Sequence, residues 1–147
     1  LAFFIVLCLG VGMFAGWVTA PAVASWYPTL NKPSWNPPSW VFGPVWTALY
    51  IMMGVAAWLV WRTNNRIAPA MILFFSQLAL NFAWSFLFFG ARSPWLGLVD
   101  ITMLWLTLVA TMLAFFGRST LAGLLIVPYL AWVSFAALLN FTIWRLN

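Results

Sequence analysis

Residues 31–46 read NKPSWNPPSWVFGPVW, with four prolines, three tryptophans, one cation and no carboxylate in sixteen residues. Proline fixes its own φ angle and offers no N–H, so this segment is stiff and needs few hydrogen-bond partners. Tryptophan favours places where one end of the ring is apolar and the other wet. Such a segment suits a membrane surface. What it covers there depends on the chain to either side.

That chain is 66% hydrophobic and 5% charged over 147 residues, with a mean hydropathy of +1.04. Soluble domains carry about 25% charged residues, so this one is expected to be solvated mainly by lipid, as an all-α integral membrane protein. Cys8 is the single cysteine, which rules out a disulfide framework. Without histidine, and with Asp100 as the only carboxylate, His-based metal sites and paired-carboxylate chemistry are excluded. No metal and no required cofactor is expected. The six cations are scattered, so neither a nucleic-acid surface nor a polybasic lipid patch is expected.

A spanning helix needs about 20 apolar residues. Five segments qualify: 1–20, 43–61, 67–89, 95–116 and 120–144. Residues 1–20 carry no charged leader-type flank and are read as a span. RTNNR at 62–66, GARSP at 90–94 and GRS at 117–119 separate the later segments. Connections this short predict that helices two to five are antiparallel neighbours. The exception is the long connection 21–42. The sequence lacks the ten-residue alternation of a membrane barrel, and five spans without an internal repeat weigh against an inverted-repeat transporter. One five-helix domain over 1–147 is expected.

We call the membrane face with the long connection side B. Counting crossings, side B also holds the 90–94 turn and the C-terminus, with Lys32, Arg92 and Arg145. Side A takes Arg62, Arg66 and Arg118. Three cations against three give the positive-inside rule no asymmetry to read.

Polar and aromatic residues recur at helical spacing on three segments. These are Gln77, Asn81, Trp84, Ser85 and Phe88; Trp132, Ala136, Leu139 and Asn140; and Trp46, Tyr50 and Met53. Each stripe lies mostly in the side B half, so the three faces converge beneath the 21–42 segment. That segment then reads as a lid over a cavity, with Trp35 and Trp40 inserting downward and Lys32 at the interface. Trp26, Trp35 and Trp40 also suit plain interfacial anchors. The length of the segment favours the lid. Gly12 and Gly16 form GxxxG, a close-packing motif that points to dimerisation. Pro128 is expected to free the Leu124 carbonyl and kink helix five. Asp100 is expected to pair with Arg145 and tie helix four to helix five, because an intramembrane carboxylate needs a partner.

NKPSWNPPSWVFGPVWTALY, QLALNFAWSFLFFGAR, VD at 99–100 and VPYLAWVSFAALLNFTIWR resemble the translocator protein family (TspO, also called the peripheral benzodiazepine receptor) in order and spacing, over nearly the whole chain. The resemblance implies a five-helix membrane bundle, often dimeric, whose first long loop closes a pocket. It implies binding of tetrapyrroles such as protoporphyrin IX, of benzodiazepine-type ligands and, in animal members, of cholesterol, in a bacterial envelope or mitochondrial outer membrane. Carried over by motif, Trp46 and Trp132 are the paired pocket tryptophans, used by some members in light-dependent porphyrin breakdown. Ala136 is the small residue that governs fit. Asn81 and Trp84 line the helix-three wall, and Trp35, Trp40 and Phe42 come from the loop. Tyr50, Leu139 and Asn140 complete the ligand-binding set through the stripes above. Phe141 stands where the family's cholesterol segment has Tyr, and VSF at 133–135 replaces LAF. These departures favour porphyrin over sterol.

The leading expectation is therefore a membrane receptor or carrier for a planar hydrophobic molecule. Light-dependent porphyrin breakdown through Trp46 and Trp132 is the enzymatic alternative. A scaffold whose interior is filled by side chains is a third.

Overall fold

The computed structural model describes residues 1–63 and 68–147. The expected helix start at Ile67, and Arg66 on side A, fall outside the described residues. Five helices long and apolar enough to cross a membrane are present: α1 Ala2–Ser25, α2 Phe42–Trp61, α3 Ala68–Ser85, α4 Pro94–Phe116 and α5 Thr120–Leu146. Among the described residues there is no strand.

Local chemistry sets several boundaries. Ser93 and Ser119 cap α4 and α5, their hydroxyls accepting from Leu96 N (3.1 Å) and Ala122 N (3.3 Å). Pro94 occupies the first turn of α4, where a missing N–H costs nothing. α3 widens at its end into a π-helical turn, Phe86–Gly90, closed by Ala91 N donating to Phe86 O at 2.7 Å. Arg92 then takes the left-handed conformation, φ 52°, to reverse the chain into α4.

Helix one does not stop at residue 20. It runs through Pro21 to Ser25, so the lid begins at Trp26. The missing Pro21 N–H leaves the Trp17 carbonyl without its i+4 donor, a loss of one helical bond that spanning helices tolerate. The lid holds two short 3₁₀ turns, Tyr27–Thr29 and Ser39–Val41. α5 likewise continues through Pro128.

Around the bundle the order is α1, α2, α5, α4, α3 and back to α1. α2 packs chiefly on α1 and α5 rather than along α3, which corrects the expectation of consecutive neighbours. A short connection holds two helix ends together but not their full lengths, and toward side B a cavity separates α2 from α3. In the side A half the core is solid. Met53, Ala56, Ala57, Val60, Phe74, Phe115, Ala122 and Ile126 are fully buried there.

Candidate functional site

The cavity has a volume of about 390 Å³ and lies between α1, α2, α3 and α5 beneath the lid. The stripes read from the sequence supply much of its wall. Trp46, Tyr50, Asn81, Trp84, Trp132, Ala136, Leu139 and Asn140 all line it, as does Phe42 at the start of α2. Trp46 and Trp132 meet edge to face, centroids 6.4 Å apart and planes at 88°. Phe42 sits against Trp132 at 5.9 Å, and Trp84 stacks on Phe88 at 5.1 Å.

Hydrogen bonds hold these rings in place. Tyr50 Oη donates to Asn81 Oδ1 (2.7 Å), Asn81 Nδ2 donates to Tyr129 Oη (2.6 Å), and Tyr129 Oη donates to Gln77 Oε1 (2.8 Å). The chain joins α2, α3 and α5 at the inner end of the cavity, where Tyr50 and Asn81 form part of the wall, each member meeting another's need. Higher up, Trp84 Nε1 donates to Asn140 Oδ1 (3.0 Å) while Asn140 Nδ2 donates to Pro94 O (2.8 Å). Trp132 differs: its Nε1 is buried and has no hydrogen-bond partner. An N–H left so costs about 1–3 kcal/mol.

Three expectations need correction. Trp35 and Trp40 do not line the cavity. Trp35 is 44% exposed with its ring against Phe135, and Trp40 is 74% exposed. Tyr27 and Ser39 form the underside of the lid instead, because Lys32 folds back to donate to Tyr27 O (3.0 Å) and Leu30 O (3.2 Å) and turns the segment inward at Tyr27. The dimer motif also turns inward, at Gly12. A Cβ on Gly12 would overlap the Tyr50 ring, so this glycine serves packing within the chain, while Gly16 is exposed at the edge of the cavity with nothing of the chain against it. Asp100 and Arg145 do not pair. Asn140 bonding to Pro94 O sets those residues level; Asp100 lies six residues inward and Arg145 five outward, about 16 Å apart along the bundle at about 1.5 Å per residue. Asp100 Oδ2 is buried without a hydrogen-bond partner.

Sequence reasoning missed the α1 wall, where Ala15, Thr19 and Val23 face the cavity, and missed Tyr129. α1 has no polar stripe to mark its inner face. Tyr129 could have been found, since it stands one turn before Trp132 and Val133 on the stripe-bearing side of α5.

Together these features define a multi-pass helical membrane protein enclosing an aromatic small-molecule cavity. The chain matches the TspO/MBR family over residues 4–145 and belongs to that family. It is 57% identical over 151 residues to the Tryptophan-rich protein TspO of Chlorobaculum tepidum, spanning 100% of this chain and 95% of that protein. It is 46% identical over 127 residues to the Translocator protein of Homo sapiens, covering 83% of this chain and 75% of the relative. With the Tryptophan-rich sensory protein of Cereibacter sphaeroides the identity is 45% over 122 residues, at 83% and 77% coverage.

Proposed function

We propose that this protein is a membrane receptor or carrier that takes a planar, hydrophobic tetrapyrrole such as protoporphyrin IX, or a benzodiazepine-type ligand, into the side B cavity. The observation that carries the reading is the cavity itself, walled by the indole and phenyl rings of Phe42, Trp46, Trp84 and Trp132 beneath the lid. Such walls stack on a flat guest, each good ring pair adding about 0.5–1.5 kcal/mol beyond burial. A volume near 390 Å³ belongs to the range of about 300–1,000 Å³ typical of small-molecule sites. No charged residue is among the cavity's lining. A propionate edge would therefore sit at the lid mouth, where Lys32 uses two of its ammonium's three N–H groups on backbone carbonyls.

Ala136, between Trp132 and Asn140 on the α5 wall, offers the direct test. Ala136→Leu should weaken protoporphyrin IX binding about tenfold, read by titrating tryptophan fluorescence, with little change in thermal midpoint. An unchanged dissociation constant would place the guest elsewhere. A saturable titration at one guest per chain also separates this reading from a scaffold with no ligand.

The edge-to-face Trp46–Trp132 pair favours one second reading, light-dependent porphyrin breakdown. Product should then form only under illumination and disappear in Trp46→Phe and Trp132→Phe. Equal bleaching in those variants would assign the loss to free porphyrin in solution. A sterol role has weaker support: Phe141, at the position of the family's tyrosine, is 45% exposed and directed away from the cavity lining, with its ring beside Trp144.

A further inference from the structure

The cavity meets the outside along two boundaries, and they are built differently. Toward the aqueous face it is fastened. Asn31 N donates to Asn147 Oδ1 (3.1 Å), Asn147 Nδ2 donates to Asn31 O (2.9 Å), and Asn31 Nδ2 donates to Leu146 O (3.3 Å). This clasp joins the lid to the end of α5. Beneath it, Tyr27 rests on Phe89 at 5.6 Å, and Tyr27 Oη donates to Asn36 Oδ1 within the lid at 3.3 Å.

Toward the bilayer, between α1 and α2, the boundary opens progressively. Near side A the two backbones touch, and a Cβ on Gly54 would lie 2.8 Å from Ile5 Cα. At mid-membrane Gly12 still lies against the Tyr50 ring. One turn further toward side B the contact ends: a Cβ on Gly16 would meet nothing within 4 Å, and the same holds for Gly43 at the start of α2. Met13 and Gly16 on α1, with Gly43 and Thr47 on α2, line the cavity and are also exposed on the lipid-facing surface, Met13 at 73%. The two helices form a V whose open end lies over the cavity.

The rim has the chemistry of a passage through hydrocarbon. Thr47 Oγ1 donates to Gly43 O (2.8 Å) and Thr19 Oγ1 to Ala15 O (2.7 Å), so neither hydroxyl proton is left facing lipid. We propose that the V between α1 and α2 is the entrance, and that the guest arrives sideways from the bilayer, dissolved in lipid, while the lid stays shut. The inference rests on the ligand-binding reading above and adds to it the route. It makes partition into the membrane the first step of selection, and it separates the walls that set affinity from the rim that sets rate.

The test is stopped-flow quenching of tryptophan fluorescence in lipid nanodiscs, with protoporphyrin IX dimethyl ester as the neutral probe. Gly43→Leu and, separately, Met13→Trp add bulk to the rim, and the open space around Gly43 lets the first variant fold. Both should slow association about tenfold, a rate change larger than substitutions at a binding surface usually give to association. Asn31→Ala, which loosens the clasp, should leave that rate within about twofold. Unchanged rates in both rim variants would overturn the lateral route, as would acceleration in Asn31→Ala alone. Absence of saturable binding to the wild-type chain would instead overturn the binding reading itself, and the route with it.

Discussion

At the side A end of the bundle, Gly54 admits the backbone of α1, and Ala56, Ala57, Ala70 and Ala122 let the helices close until Phe74 stacks on Phe115 at 6.0 Å. At the side B end the same helices carry Trp46, Trp84 and Trp132, and they stand apart around about 390 Å³ of space. Both halves are apolar and rich in rings, so hydrophobicity does not separate them. Residue size and polar bracing do. Small residues allow close approach, as membrane helices require when lipid gives no hydrophobic push between them. Large rings braced by Trp84–Asn140 hold a gap open where Asn81 and Tyr50 form part of its wall.

Four substitutions would break or sharpen this contrast. Gly54→Leu should do most damage, since a Cβ there meets Ile5 Cα and N at 2.8 and 2.9 Å, backbone that cannot rotate away. A loss of about 3 kcal/mol or more is expected from overpacking, read as a steep fall in thermal midpoint. Tolerance of the leucine would mean that the side A contact is slack. Asn81→Ala comes next. It removes two buried hydrogen bonds beneath the cavity, at about 1 kcal/mol each, and should also weaken guest binding. A drop in stability with binding untouched would detach the polar chain from the site.

Asp100→Asn should cost less than about 1 kcal/mol, because no ion pair is lost and an unbonded carboxylate oxygen is replaced by a neutral amide. A large destabilisation, followed by circular dichroism on heating in detergent, would show that the carboxylate has a partner worth keeping. The smallest effect belongs to the reversal between α3 and α4. Arg92→Gly relieves a left-handed conformation that non-glycine residues adopt at a cost, and a gain of about 0.5 kcal/mol is expected after glycine's own entropy. A lowered midpoint would show that the Arg92 side chain outweighs the strain.

The spans and the inner faces of α2, α3 and α5 were legible in the sequence, because length and a 3.6-residue repeat of polar and aromatic residues are local properties. The lid was legible as a segment but not in its contacts. Trp35 and Trp40 look like plugs by composition, yet Lys32 folding onto Tyr27 turns a different ring inward. Gly12 and Gly16 illustrate the same limit. GxxxG states that something comes close, and only the tertiary structure shows that at Gly12 it is Tyr50 of the same chain and that at Gly16 the chain brings nothing.

The sequence by itself determined that this protein lives in a bilayer as five helices, since 5% charge and five apolar runs permit no other way to satisfy the backbone. It also determined which faces of three helices turn inward. Only the tertiary structure decided the ring order of the helices, the pairing of Asn81 with Tyr50 and Tyr129, the missing partner of Asp100, and the gap between α1 and α2. Those depend on distances between residues far apart in the chain, and neither composition nor periodicity encodes such distances.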